Sequence, residues 1–104
     1  MKMLRTNMDY KIRWSEEAVN NLEDILDDLR LKWTDKEIEN FKKRLSHQIS
    51  LIKQNPFLFP SSSIKKELRK AVLSKQTTVF YQIENSVVNL TYLHINKRDI
   101  KNIE

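Results

Sequence analysis

Between Tyr10 and Trp14 apolar and polar residues alternate strictly, with Tyr10, Ile12 and Trp14 set against Lys11 and Arg13. A period of two is that of a strand with one buried face, so 10–14 is predicted as a half-buried strand. The period then changes. Ala18, Leu22, Ile25, Leu26, Leu29 and Trp33 fall at helical spacing, as an apolar stripe along an amphipathic helix. Ser15 stands where a helix N-cap belongs, and Glu16 and Glu17 follow in the first turn, where carboxylates suit the helix dipole. Thr34-Asp35-Lys36-Glu37 has the spacing of a capping box and predicts a second helix. Its buried stripe is Ile38, Phe41, Leu45, Ile49 and Ile52, and Asn55-Pro56 stops it. Almost no linker separates the two helices, which predicts an antiparallel hairpin.

Phe57 to Ser63 reads as an irregular loop with two aromatics. Strands are then predicted near 68–73, 77–83 and 86–95, joined by turns at Ser74-Lys75-Gln76 and Glu84-Asn85. The chain has no glycine, so its turns must rely on Asn, Ser and Asp. The resulting order is β-α-α-β-β-β. It is an α+β fold, with a small antiparallel-dominated sheet carrying the helical hairpin on one face and leaving the other face open. Alternation puts Tyr81 with Val79 and Ile83 in the core. It puts His94 on an apolar face with Val88, Leu90 and Tyr92, as a structural histidine.

A length of 104 residues fits one domain spanning 1–104, with 1–8 as a flexible extension. The chain is 39% hydrophobic, a normal value for a globular core. No stretch approaches the roughly 18 apolar residues of a membrane helix, and the first residues lack the apolar run of a secretion signal. The absence of cysteine fits a reducing compartment, so a cytoplasmic location is expected. The two histidines, His47 and His94, make no metal-site spacing, and neither a metal nor another cofactor is expected. Charge is unevenly placed. Residues 15–37 hold 8 acidic and 3 basic side chains, whereas 64–104 hold 8 basic and 4 acidic. One helix is thus acidic and the rest of the chain basic, a split that steers an anionic partner to one side.

The order of elements resembles the RelE/ParE toxin superfamily of bacterial type II toxin–antitoxin systems. The residues that carry the resemblance are Tyr10-Lys11-Ile12-Arg13-Trp14-Ser15 with Ala18 and Leu22, the Asn55-Pro56 break, Leu68-Arg69-Lys70, Phe80-Tyr81-Gln82-Ile83, and Leu93-His94 followed by Lys97-Arg98-Asp99. The likeness runs from about Asp9 to Ile103, and Met8 falls where many members begin. It implies a cognate antitoxin that wraps the toxin, with operator DNA bound only through the toxin–antitoxin complex. It also implies one of two activities. RelE-like members cleave mRNA at the ribosome, and ParE-like members bind DNA gyrase and block it without hydrolysis. A third reading is a weakly active member serving mainly in that DNA-autoregulating complex.

Under the RelE-like reading, attack of a ribose hydroxyl on the adjacent phosphate needs basic side chains to hold the developing charge. The resemblance assigns that part to Arg69, His94 and Arg98. Two features depart from the pattern. Thr78 stands where an arginine is usual, and no tyrosine follows Arg98 as far as Glu104. His94 followed by Lys97-Arg98-Asp99 is closer to ParE-like members, which makes gyrase binding the first expectation. Lys11, Arg13, Arg69, Lys70, Lys97 and Arg98 are then candidates for contact with phosphate or the target. Trp14, Trp33, Phe57 and Phe59 are candidates for the antitoxin interface wherever they are exposed.

Overall fold

A computed structural model describes residues 10–95. Strand β1 (Lys11–Trp14) leads directly into helix α1 (Glu16–Lys32). Ser15 caps α1, its Oγ accepting from the Ala18 N–H at 2.9 Å. Helix α2 (Asp35–Gln54) begins one residue past the turn at Trp33-Thr34. The capping box is complete. Thr34 Oγ1 accepts from the Glu37 N–H at 3.2 Å, and the Thr34 N–H donates to Glu37 Oε1 at 3.0 Å. After a loop come β2 (Arg69–Val72), β3 (Thr77–Glu84) and β4 (Val87–Ile95). The predicted element order is therefore the observed one.

The four strands form one sheet in the order β1-β4-β3-β2. β2 pairs with β3 and β3 with β4 in antiparallel fashion, whereas β1 runs parallel to β4. The glycine-free turns work as their residues allow. Asn85 takes a left-handed backbone (φ 57°) in the tight β3–β4 turn, a conformation that asparagine tolerates better than most residues. At the β2–β3 turn, Ser74 Oγ accepts from the Gln76 N–H at 3.2 Å, alongside the backbone bonds between Ser74 and Thr77.

One core joins the helices to one sheet face. Ala18, Ile25 and Leu29 of α1 and Ile38, Phe41, Leu45 and Ile52 of α2 pack on Ala71, Val79, Tyr81, Val88, Leu90 and Leu93. Ile12 and Trp14 point to the same side, opposite Val88 and Leu90. Among the described residues no element covers the other face. None of the described helices is long and apolar enough to cross a membrane.

β4 is interrupted. Tyr81 pairs with Leu90, but its neighbour Phe80 pairs with Tyr92, leaving Thr91 as an extra residue in a β-bulge. The bulge sits just past the point where β1 ends, since Trp14 pairs with Leu90. The helix start takes over there. Ser15 N–H donates to Leu90 O at 3.0 Å, Ser15 Oγ donates to Thr91 O at 2.6 Å, and Leu93 N–H donates to Asn21 Oδ1 at 3.0 Å. These bonds satisfy main-chain groups that would otherwise face no strand.

Candidate functional site

The bulge decides which side chains the open face carries. Side chains alternate strictly along a strand, so one inserted residue exchanges the faces beyond it. Up to Leu90 the expected alternation holds, with Val88 and Leu90 buried. Past Thr91 it is Leu93 that is buried, and Tyr92 and His94 turn outward. His94 is thus not a structural histidine on the apolar face. It is exposed, opposite Thr78 on β3. Tyr92 stacks on Phe80, with ring centroids 4.6 Å apart and 18° between planes. Lys70 pairs with Phe80 from the other side, so lysine, phenylalanine and tyrosine form a row across the open face. Nearer the other end, Lys11 and Arg13 project from β1 on the same face.

Arg69 does not join them. It pairs with the buried Tyr81 and lies on the helix side of the sheet, at its margin. Its Nη1 donates to Phe59 O at 2.6 Å, and its guanidinium lies 5.0 Å from the centroid of the Phe57 ring. Tyr81 holds the same loop from below, donating its hydroxyl to Pro56 O at 2.5 Å. Burial pushes the Tyr81 hydroxyl up to about 12, offset only in part by the Arg69 charge and the Phe59 backbone. Of the basic candidates, Lys11, Arg13 and Lys70 therefore share the open face, and Arg69 does not. The reason is a register of one residue, which turns Lys70 outward and Arg69 inward. Lys97 and Arg98 lie outside the described residues, so of the triplet Arg69, His94 and Arg98 only the first two can be placed, and they occupy opposite faces.

The four aromatic candidates separate. Trp14, Trp33 and Phe59 are half-buried against the core, and Phe57 is exposed. Trp14 ends a groove between the helices lined by Leu22, Leu26, Lys42, Leu45 and Ile49, with a volume of about 250 Å³. Trp33 lines a second cleft of about 210 Å³ with Phe41, Arg44, Ser74 and Gln76. Both are concave surfaces at the helix flanks, away from the open sheet face. Among the described residues no cluster of His, Asp and Glu could hold a metal ion.

The stacked pair and the Asn21 bond escape sequence reasoning. Phe80 lies between the inward-facing Val79 and Tyr81, so its outward position was legible. Its partner Tyr92 was not, because nothing in the strand pattern marks Thr91 as the extra residue.

The chain resembles a structure of the chromosomal ParDE toxin–antitoxin system of P. aeruginosa with a TM-score of 0.71 at 11% identity, covering 85% of this chain and 97% of that one. It also resembles YafQ from E. coli, with a TM-score of 0.59 at 12% identity over 86% and 96% of the two chains. A YoeB/ParE toxin from Agrobacterium tumefaciens gives a TM-score of 0.59 at 13% identity over 83% and 98%. At these identities the likeness is one of fold. No curated protein matches in sequence. The model of the ParE toxin of type II toxin–antitoxin systems (parDE) matches residues 12–99, and the chain belongs to that family within the RelE/ParE superfamily.

Proposed function

We propose that this toxin acts in the cytoplasm by binding a DNA topoisomerase, gyrase, and blocking it without hydrolytic chemistry of its own. The observation that carries this reading is the placement of Arg69. Charge stabilisation on a scissile phosphate needs cationic groups converging on one point. Arg69 and His94 lie on opposite faces of the sheet, and Arg69 is already engaged by Phe59 O and the Phe57 ring. Thr78, which faces His94, carries no charge to replace it. The partner is a cognate antitoxin, held along the concave helix flanks at Trp14 and Trp33, where an extended or helical segment finds apolar grooves. The E. coli DinJ–YafQ toxin–antitoxin complex, similar in fold, supports a partner of this kind. Operator DNA is then met only through the toxin–antitoxin complex.

A second reading, ribosome-dependent mRNA cleavage, is favoured by one feature, the Phe80–Tyr92 stack beside Lys70 and His94. Exposed aromatics beside cations suit an unpaired base. Pulse-labelling after induction of the chain alone separates the two. An early fall in DNA synthesis is expected, and an early fall in protein synthesis would overturn the gyrase reading in favour of the ribosome.

A further inference from the structure

The loop between α2 and β2 is built against the usual rule for loops. It shows large apolar side chains to solvent and is nevertheless tightly braced. Phe57 is 58% exposed, Leu58 55% and Ile64 87%. Beneath them Pro56 is fully buried and Ser62 and Leu68 are buried. The bracing bonds come from both sides of the loop. Tyr81 donates to Pro56 O and Arg69 to Phe59 O, with the Arg69 guanidinium against the Phe57 ring. Lys70 N–H donates to Pro60 O at 2.9 Å, and Ser62 N–H to Leu68 O at 2.8 Å, so that 60–62 runs as a short ribbon beside β2. At its tip Ser62 Oγ accepts from the N–H groups of Ile64 and Lys65. The charge around the loop is predominantly basic. From Lys53 to Lys70 the chain holds five basic residues and one acidic, and Lys65 and Lys66 are exposed beside Ile64.

We propose that this loop is the surface with which the chain grips its protein target, a folded partner offering an apolar pocket with an acidic rim. The inference rests on the gyrase reading and names the part of the toxin that would carry it. Side chains that expose more than half their area project, and a projection needs a concave partner. An antitoxin segment, by contrast, needs the concave flanks that the helices provide. Ordering a binding surface before encounter reduces the entropy lost on docking, and a few rigid apolar anchors then supply most of the affinity. A bilayer is the poorer occupant. It rewards a wide amphipathic face, and three side chains on a narrow, stiff loop bury little of one. The same geometry gives Arg69 and Tyr81 a role as positioning residues for Phe57 and the backbone around it.

The test uses purified gyrase, the wild-type chain and two variants, Phe57→Ser/Leu58→Ser and Lys65→Glu/Lys66→Glu. Inhibition of DNA supercoiling is measured, with thermal unfolding as a check on the fold. All four side chains are exposed, so unfolding midpoints should barely move. Both variants are expected to inhibit roughly ten- to hundred-fold less well than wild type. Wild-type inhibition with undiminished inhibition by either variant would overturn the loop assignment and leave the gyrase reading standing. An inactive wild type would overturn the gyrase reading and this inference with it. Sedimentation of wild type with phosphatidylglycerol vesicles, lost in both variants while supercoiling inhibition persists, would overturn the protein pocket in favour of a lipid surface. Were the serine variant unfolded, the charge-reversal variant and wild-type titration at rising salt would still decide, since an acidic rim predicts inhibition that weakens with salt.

Discussion

At the scale of single residues, the chain places a few polar side chains where the backbone leaves something unsatisfied. Tyr81 is the clearest. Its ring fills the core and its hydroxyl meets Pro56 O, the end of a loop that must be fixed for Phe57 to be held outward. Because burial raises its hydroxyl to about 12, the neutral form is favoured in the folded state. Its contribution to stability is therefore complete below the unfolded value of about 10 and is lost as pH rises through the folded one. Tyr81→Phe removes the hydroxyl and leaves the Pro56 carbonyl bereft of this donor, which should cost about 1 kcal/mol at neutral pH. The difference between wild type and Tyr81→Phe, measured by denaturant unfolding, should shrink between pH 10 and 12. A constant difference would show that Tyr81 titrates as it does in the unfolded chain. Asn21 plays the matching part on the other side of the core. Asn21→Ala strips the Leu93 N–H of its acceptor and should destabilise by about 1–3 kcal/mol, whereas Asn21→Asp keeps an acceptor and should recover part of that.

At the scale of elements, helices and turns were legible in the sequence because each depends on near neighbours. Ser15, Thr34-Asp35-Lys36-Glu37, Asn55-Pro56 and the alternation of 10–14 all act within a turn or a strand, and the structure places element ends at those residues. Thr34→Ala should accordingly cost about 1 kcal/mol in unfolding free energy, through loss of the cap alone. The sheet faces were legible only as far as Leu90. The bulge at Thr91 arises from a mismatch between distant elements. β1 stops at Trp14, and the start of α1 supplies Ser15 and Asn21 in place of a strand. A strand's own pattern contains no record of what lies 70 residues earlier. That one residue moved Tyr92 and His94 to the open face, and the pairing of β2 with β3 sent Arg69 inward with Tyr81. Of the candidate residues, Lys11, Arg13, Lys70 and His94 thus share the open face, and Arg69 lies on the other. Deleting Thr91 should therefore close the bulge into a regular ladder, with Leu93 still inward and Tyr92 and His94 still outward, at the cost of the Ser15 Oγ bond to Thr91 O. A folded circular-dichroism spectrum with a lower unfolding midpoint is expected, and loss of the folded state would show that the bulge itself is needed to seat the start of α1 on β4.

At the scale of the whole molecule, the surface divides by shape into two kinds of binding face. The helix flanks are concave, with the groove at Leu22, Leu26, Leu45 and Ile49 ending at Trp14. The loop at Phe57, Leu58 and Ile64 projects. A toxin that must be silenced by one partner and act on another needs neutralisation to block the target, but it does not need the two partners to share every contact. Separate faces allow the two functions to be lost separately. Leu26→Glu/Ile49→Glu places two carboxylates on half-buried positions of the groove, where an apolar side chain of an antitoxin segment would sit. Both positions border the core rather than fill it, so the fold should survive with a lower unfolding midpoint. Growth arrest on induction of the chain alone should persist. Co-expression of a cognate antitoxin should no longer rescue growth, or should need far more antitoxin to do so. Full rescue at ordinary antitoxin levels would show that the antitoxin does not use the groove. Loss of arrest in a folded variant would show that the helix flanks, and not the loop, meet the target.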